Sequence, residues 1–322
     1  MLKLLESPFV SLPTPLAWGF GGLLAVLVAG SAAGVVLPLV KRGGDFSNLR
    51  QRVASWWAMV ALLVGALMLG WQATALLFGL ISFMALREFI SLAPARIEDR
   101  PVIALAYMTI PISVFFVFIG AYTFYVLLIP VYVFLAMPFV MACIGQTRGY
   151  LTTTAAFHWG LVTCVYNIGY IPFLMRVPQW DAPQAGPMGL VFLLLVATEA
   201  NDVLQYVTGK LFGRHKITPK VSPNKTWEGF IGGWVLTAGL ILLIGPIFSP
   251  LKGPGLWIIA VTLPLAGFAG DVTFSAIKRD IGVKDTSHYI PGHGGVLDRI
   301  DSLTFTSPLY FHLLAYFALK TY

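Results

Sequence analysis

Pro254-Gly-Leu-Trp-Ile-Ile-Ala-Val-Thr-Leu-Pro-Leu-Ala-Gly-Phe-Ala-Gly-Asp271-Val-Thr-Phe-Ser275-Ala-Ile277 is an apolar run long enough to cross a bilayer, with a carboxylate near its end. A charged stretch follows: Lys278-Arg-Asp-Ile-Gly-Val-Lys-Asp-Thr-Ser-His-Tyr-Ile-Pro-Gly-His-Gly-Gly-Val-Leu-Asp298-Arg-Ile-Asp301. The first half reads as a membrane helix. The second gathers lysines, arginines, aspartates and a Gly-Gly pair at the helix's end. Basic side chains beside carboxylates and close-approach glycines are what a divalent metal and a polyphosphate need together.

Outward from this stretch the chain keeps the same character. It has 322 residues, of which 57% are hydrophobic and 11% charged, and its mean hydropathy is +0.81. Apolar runs recur from end to end, which excludes a soluble core and indicates an all-α, polytopic integral membrane protein. The runs predict about ten transmembrane helices, near 15–40, 55–70, 72–93, 101–120, 122–145, 154–175, 187–209, 229–248, 254–277 and 303–320. Lys3 alone precedes the first run and Lys41-Arg42 follows it, so 15–40 reads as a retained span, not a cleaved leader.

With the N-terminus outside, the loops near 41–54, 87–100, 146–153, 210–228 and 278–302 face the cytoplasm. All but four of the 21 Lys and Arg residues then fall inside, the exceptions being Lys3, Arg176, Lys252 and Lys320. That asymmetry obeys the positive-inside rule and places the charged stretch on the cytoplasmic side of the cell (inner) membrane. The net charge of +7 lies in these loops, facing headgroups and nucleotide phosphates, so no nucleic-acid partner is expected. Cys143 and Cys164 lie in apolar runs and offer neither a disulfide framework nor zinc spacing.

The chain divides into a hydrophobic helical scaffold, 1–150, and a catalytic membrane part, 151–322, within one fold unit. In the first part the few charges lie in loops. From Glu199 onward, carboxylates and amides enter the spans, where they are costly and mark function. Glu199, Asp202 and Tyr206 fall on one helical face at i, i+3 and i+7, with Asn201 and Gln205 as a neighbouring polar row. Such a wedge must face protein or a water-filled cavity.

A second constellation surrounds Ser222-Pro-Asn-Lys-Thr226. Lys210, Arg214, Lys216, Lys220 and Lys225 flank it, and a helix starting near Thr226 would add its positive end. Ser222, Asn224, Lys225 and Thr226 are candidate triphosphate contacts, while Lys210, Arg214 and Lys216 read equally well as positive-inside anchors. The loop is not a Walker A sequence. In the third constellation Asp271, Ser275 and Lys278 share one face of span nine, and Asp298 and Asp301 follow Gly294-Gly295. Several carboxylates together select a hard cation such as Mg²⁺. Lys278, Arg279, Lys284 and Arg299 would contact phosphates. His293 is a candidate general acid or base, or a phosphate contact. Asp280 and Asp285 read as solvated loop charges.

Ser275-x-Ile-Lys278-Arg279, Lys284-Asp285 and Ile290-Pro-Gly-His-Gly-Gly-Val-x-Asp298-Arg299-Ile-Asp301 resemble the signature of the phosphatidate cytidylyltransferases. Ser222-Pro-Asn-Lys-Thr-Trp-Glu-Gly and Asn201-Asp202…Tyr206…Gly209 are similar to the same family. The likeness covers about 199–315. One departure is Gln205, where the family pattern has a small residue before the tyrosine. The resemblance implies Mg²⁺-dependent transfer of CMP from CTP to phosphatidate, with pyrophosphate released. It implies metals on Asp271 and Asp298 and a monovalent cation beside the Mg²⁺, for which K⁺ is the candidate; Asp301 and Asp202 would be partners of those ligands. Two other readings are a cytidylyltransferase for another phosphorylated lipid and a carboxylate-coupled membrane transporter. Ten spans also leave enough apolar surface for a homodimer.

Overall fold

The computed structural model describes residues 12–40, 47–93, 99–145, 147–176 and 184–318. Lys3, Lys41, Arg42, Arg96 and Lys320, used above for orientation, lie outside them.

Helices dominate. They are α1 (Thr14–Val40), α2 (Ser47–Met68), α3 (Trp71–Leu92), α4 (Arg100–Ile119), α5 (Tyr122–Leu127), α6 (Phe134–Cys143), α7 (Tyr150–Leu161), α8 (Asn167–Leu174), α9 (Gly186–Phe212), α10 (Trp227–Phe248), α11 (Gly253–Ile281) and α12 (Leu297–Ala318). Short π-helical segments, Leu128–Val133 and Val162–Tyr166, join α5 to α6 and α7 to α8. A β-hairpin, β1 (Lys216–Thr218) and β2 (Ser222–Thr226), fills the connection after α9. Its strands are antiparallel, with Lys216 opposite Thr226 and Thr218 opposite Ser222.

The ten expected segments are therefore present, two of them carrying a π insertion. Among the described residues, eight helical segments are long and apolar enough to cross a membrane on length and composition, which makes this a polytopic membrane protein. The other two, Tyr150 to Leu174 and α12, carry more polar side chains and bury much of their length against neighbours. In α2 only 6% of the spanning window is buried, against 56% in α9. Thus α9, α11 and α12 form the centre, and α1 and α2 lie at the periphery.

Small residues set the central packing. Along the α9–α10 seam, a Cβ on Gly229 would lie 2.8 Å from Gly209 Cα, and one on Gly233 would lie 2.6 Å from Gln205 N. Backbone meets backbone there, as membrane helix pairs require. Thr208 Oγ1 donates to Gly229 O across the seam at 2.9 Å. Gln205 thus has its counterpart in Gly233, which explains how a large residue fits at that position. Asn201 donates to Pro264 O at 3.1 Å, and Thr198 meets Thr306 at 3.0 Å, linking α9 to α11 and α12.

The polar wedge on α9 faces protein as expected except at Tyr206. Asn201 and Gln205 face the protein and are buried, whereas Tyr206 is 67% exposed, with Lys210 Nζ 5.9 Å from its ring.

Candidate active site

Local sequence positions the site. Thr226 caps α10 by accepting from Gly229 N at 3.2 Å, so β2 ends where the helix begins. Glu228 secures the hairpin base: its Oε2 accepts from Arg214 N at 2.9 Å and His215 N at 3.2 Å. In α11, Gly282 adopts φ 81° and ends the helix, with Val283 N donating to Lys278 O at 2.8 Å. Ile290-Pro-Gly-His293 then makes a tight turn. His293 N donates to Ile290 O at 2.9 Å, and Gly292 holds φ 74° behind Pro291, the pattern of a type II turn.

Two lysine–carboxylate pairs join these elements. Lys225 of β2 pairs with Asp271 of α11. Ser275, one turn along, donates to Asp271 Oδ1 at 3.3 Å. Lys278, a further turn on, reaches instead to Asp298 Oδ1 at 2.8 Å. The Asp298 side chain is 3% exposed, and its Oδ2 accepts from Thr286 N at 2.8 Å, Gly295 N at 2.9 Å and Thr286 Oγ1 at 3.0 Å. Hydrogen bonds to a charged group contribute about 1.5–3 kcal/mol each, so Asp298 organises the whole segment between α11 and α12.

The Gly-Gly pair has a structural explanation here. A Cβ on Gly294 would lie 2.7 Å from Asp298 Oδ2, and Gly294 itself has φ 80°. A Cβ on Gly295 would collide with Thr286 Oγ1 and Glu88 Oε2. The space these glycines leave is filled by carboxylates of the chain itself.

Glu88 is the residue that the sequence reading passed over. It lies in α3, 2% exposed, and accepts from Val296 N and Leu297 N at 2.9 Å each, Ser287 Oγ at 2.7 Å and Thr286 Oγ1 at 3.1 Å. From α2, Arg52 Nε donates to Gly292 O at 3.0 Å and Ser55 Oγ to Pro291 O at 2.8 Å. The scaffold half of the chain therefore supplies contacts to the segment beside the site. The available signal was a carboxylate inside an apolar run, Ala85-Leu-Arg-Glu88-Phe-Ile90.

A group of carboxylates faces this machinery. Asp202 Oδ2 accepts from Ser302 Oγ at 3.0 Å, while its Oδ1 is buried without a hydrogen-bond partner. Asp271 and Glu199 are its electrostatic neighbours, and Asp301 interacts with both Asp271 and Asp202. Among the described residues, no three His, Cys, Asp or Glu side chains stand close enough to hold a metal ion as they are. The donor chemistry nevertheless fits a hard cation: the groups are carboxylates, and Asp202 offers an orphaned buried oxygen.

His293 packs edge-on against Trp56, with ring centroids 6.1 Å apart. Burial pushes its pKa below 6.5, and the charges of Arg299 and Arg52 act in the same direction. Arg279 donates to Val221 O at 3.2 Å and Val283 O at 3.1 Å, tying the hairpin to the end of α11. Ser222 and Lys225 are partly exposed, Asn224, Lys284 and Arg299 are exposed, and Asp280 and Asp285 are exposed as expected of solvated charges.

The fold defines a polytopic membrane protein, and these paired charges lie at the ends of its central helices. The sequence profile of the cytidylyltransferase family matches residues 50–317, and the chain belongs to that family. It is 37% identical to the uncharacterized protein YnbB of Escherichia coli, over 86% of this chain and 89% of that one. It is also 41% identical to the phosphatidate cytidylyltransferases of Mycobacterium leprae and Bacillus subtilis. Those matches cover 36% and 40% of this chain and span 37% and 48% of the two relatives.

Proposed function

We propose that this protein transfers CMP from CTP to phosphatidate, yielding CDP-diacylglycerol and pyrophosphate, at the cytoplasmic face of the cell (inner) membrane. The observation that carries the reading is the pair of lysine–carboxylate contacts, Lys225–Asp271 and Lys278–Asp298, drawn from separate elements at one end of the bundle. Cations and oxygen donors alternate there as a triphosphate–metal complex requires. The matched segments of the two named phosphatidate cytidylyltransferases point to the same reaction.

In that reaction a phosphate oxygen of phosphatidate attacks the α-phosphorus of CTP. The bond from the α-phosphorus to the bridging oxygen breaks, and pyrophosphate leaves. An anion attacking an anion needs charge neutralisation more than a strong base. Lys225, Lys278, Arg279 and Lys284 supply it at the phosphates, with Ser222, Asn224 and Thr226 shaping the hairpin around them and Arg299 beside α12. Asp271 and Asp298 are the metal-holding groups in this reading, with Asp301 and Asp202 beside them; Asp298 offers Oδ1, the oxygen that Lys278 holds. Bound Mg²⁺, with K⁺ as a second cation, would supply further neutralisation of the triphosphate and leaving group.

Purified protein with Mg²⁺, CTP and phosphatidate should release pyrophosphate and form a liponucleotide. Pyrophosphate release that is absent, or that persists without the lipid, overturns the reading. Release with a polyprenyl phosphate but not with phosphatidate would assign another lipid acceptor.

A further inference from the structure

We propose that Glu88 is a positioning residue for this reaction. Delivered from α3, its carboxylate fixes the 286–297 segment and thereby the orientation of Asp298. The inference rests on the cytidylyl-transfer reading of the same site.

Four donors converge on the two oxygens of Glu88. Two are the backbone amides of Val296 and Leu297 at the start of α12, and two are the hydroxyls of Thr286 and Ser287. The amides of a helix's first turn lack partners within the helix. Here a carboxylate from a distant helix caps them, and its negative charge also suits the positive end of α12. Asp298 is the second residue of α12, so the group that anchors this helix start also sets where Asp298 points.

The two carboxylates are coupled directly. Thr286 Oγ1 lies 3.1 Å from Glu88 Oε2 and 3.0 Å from Asp298 Oδ2, and a hydroxyl has one proton for the two acceptors. Gly295 sits between them: its amide donates to Asp298, and any side chain there would strike Glu88 and the two hydroxyls. Arg52 and Ser55 hold the other arm of the segment at Gly292 and Pro291. The 286–297 segment is thus held from α2 and α3, and Glu88 is the buried carboxylate among those contacts.

The decisive comparison is Glu88→Gln against Glu88→Ala. Glutamine keeps the volume but turns an NH₂ group toward donors. A residue that merely fills space would tolerate Gln and suffer with Ala. A carboxylate that accepts from two backbone amides and from hydroxyls should lose as much with Gln as with Ala. Both variants are expected to lower kcat by about ten- to a hundred-fold, as outer-shell losses do, with a much smaller change in KM for CTP. Hydrogen exchange on the full-length protein should show the amides of Thr286, Val296 and Leu297 losing protection while the central helices keep theirs. Glu88→Asp, which retains the acceptors, should fall between wild type and Gln.

Wild-type kcat and unchanged protection in Glu88→Gln would overturn the proposal. If both variants lose the fold globally, Ser287→Ala decides: it removes one donor and leaves Glu88 in place. Reduced protection around Ser287 with a lower kcat supports the role, and no change in either overturns it. A wild-type protein that shows no phosphatidate-dependent pyrophosphate release would overturn the reaction instead. The exchange measurement would then decide Glu88's hold on the segment by itself.

Discussion

Lys278 Nζ stands 2.8 Å from Asp298 Oδ1 and joins the last turn of α11 to the first turn of α12. Sixteen residues stand between Ile281, which ends one helix, and Asp298, the second residue of the other, and this contact closes them into a loop. Removing one member of such a buried pair costs about 3–5 kcal/mol, because the partner keeps its charge without compensation.

Asp298→Asn and Asp271→Asn should therefore differ. Both are expected to lose nearly all turnover. Asp298→Asn should also lower the melting temperature, since it disturbs Lys278, Thr286 and Gly295 together. The Asp271 side chain is 26% exposed, and beside Lys225 its hydrogen-bond contact is with Ser275 at 3.3 Å. Its replacement should leave the melting temperature nearly unchanged. Parallel thermal unfolding and pyrophosphate-release assays make the comparison, and substantial Mg²⁺-dependent turnover in either variant would remove that residue from the metal-holding set.

Lys225→Ala should raise KM for CTP by roughly ten- to a hundred-fold, the equivalent of a charge-assisted contact of about 1.5–3 kcal/mol. KM for phosphatidate should change far less. Steady-state kinetics with each substrate varied in turn separates the two. Equal effects on both substrates would make Lys225 a structural tie between the hairpin and α11, not a CTP contact.

Legibility in the sequence was uneven, for physical reasons. Local periodicity showed the spans, the start of α10 after Thr226, and the shared face of Asp271, Ser275 and Lys278, because each is written within one or two helical turns. The π-helical segments at Leu128–Val133 and Val162–Tyr166 have no comparable signature. The hairpin was hidden because its strands are short and Pro223 sits within one of them. Ile290-Pro-Gly-His293 could have been read as a type II turn from its proline and glycine. Glu88 could not be placed, because its partners lie 198 to 209 residues away in sequence. Gln205 looked anomalous until Gly233 was seen opposite it.

His293 gives a pH prediction with a definite sign. Its folded pKa is lowered, first by burial and then by Arg299 and Arg52, so the folded state resists protonation more than the unfolded chain. Stability should accordingly fall as pH drops through the unfolded value near 6.5, and stop falling below the folded value. His293→Gln removes this term. Its melting temperature should vary less than that of wild type between about pH 5 and 7. Identical pH profiles would show that His293 does not contribute.

Orientation can be checked in a background lacking Cys143 and Cys164. A cysteine at Ile217 in the hairpin should react with an impermeant maleimide from the cytoplasmic side, and one at Lys252 before α11 from the opposite side. Labelling of both from one side would contradict the span count and the cytoplasmic placement of the site.

The glycine seam between α9 and α10 restricts how the molecule can move. With Gly229 against Gly209 and Gly233 against Gln205, sliding one helix along the other would drive a side chain into main chain. The pair therefore behaves as a stiff stalk, and the hairpin mounted on its tip, cross-braced by Glu228, is carried rather than hinged. The segment between α11 and α12 is held differently: side chains from α2 and α3 and the Lys278 ammonium fix it, so its position depends on hydrogen bonds and charge where the seam depends on main-chain contact.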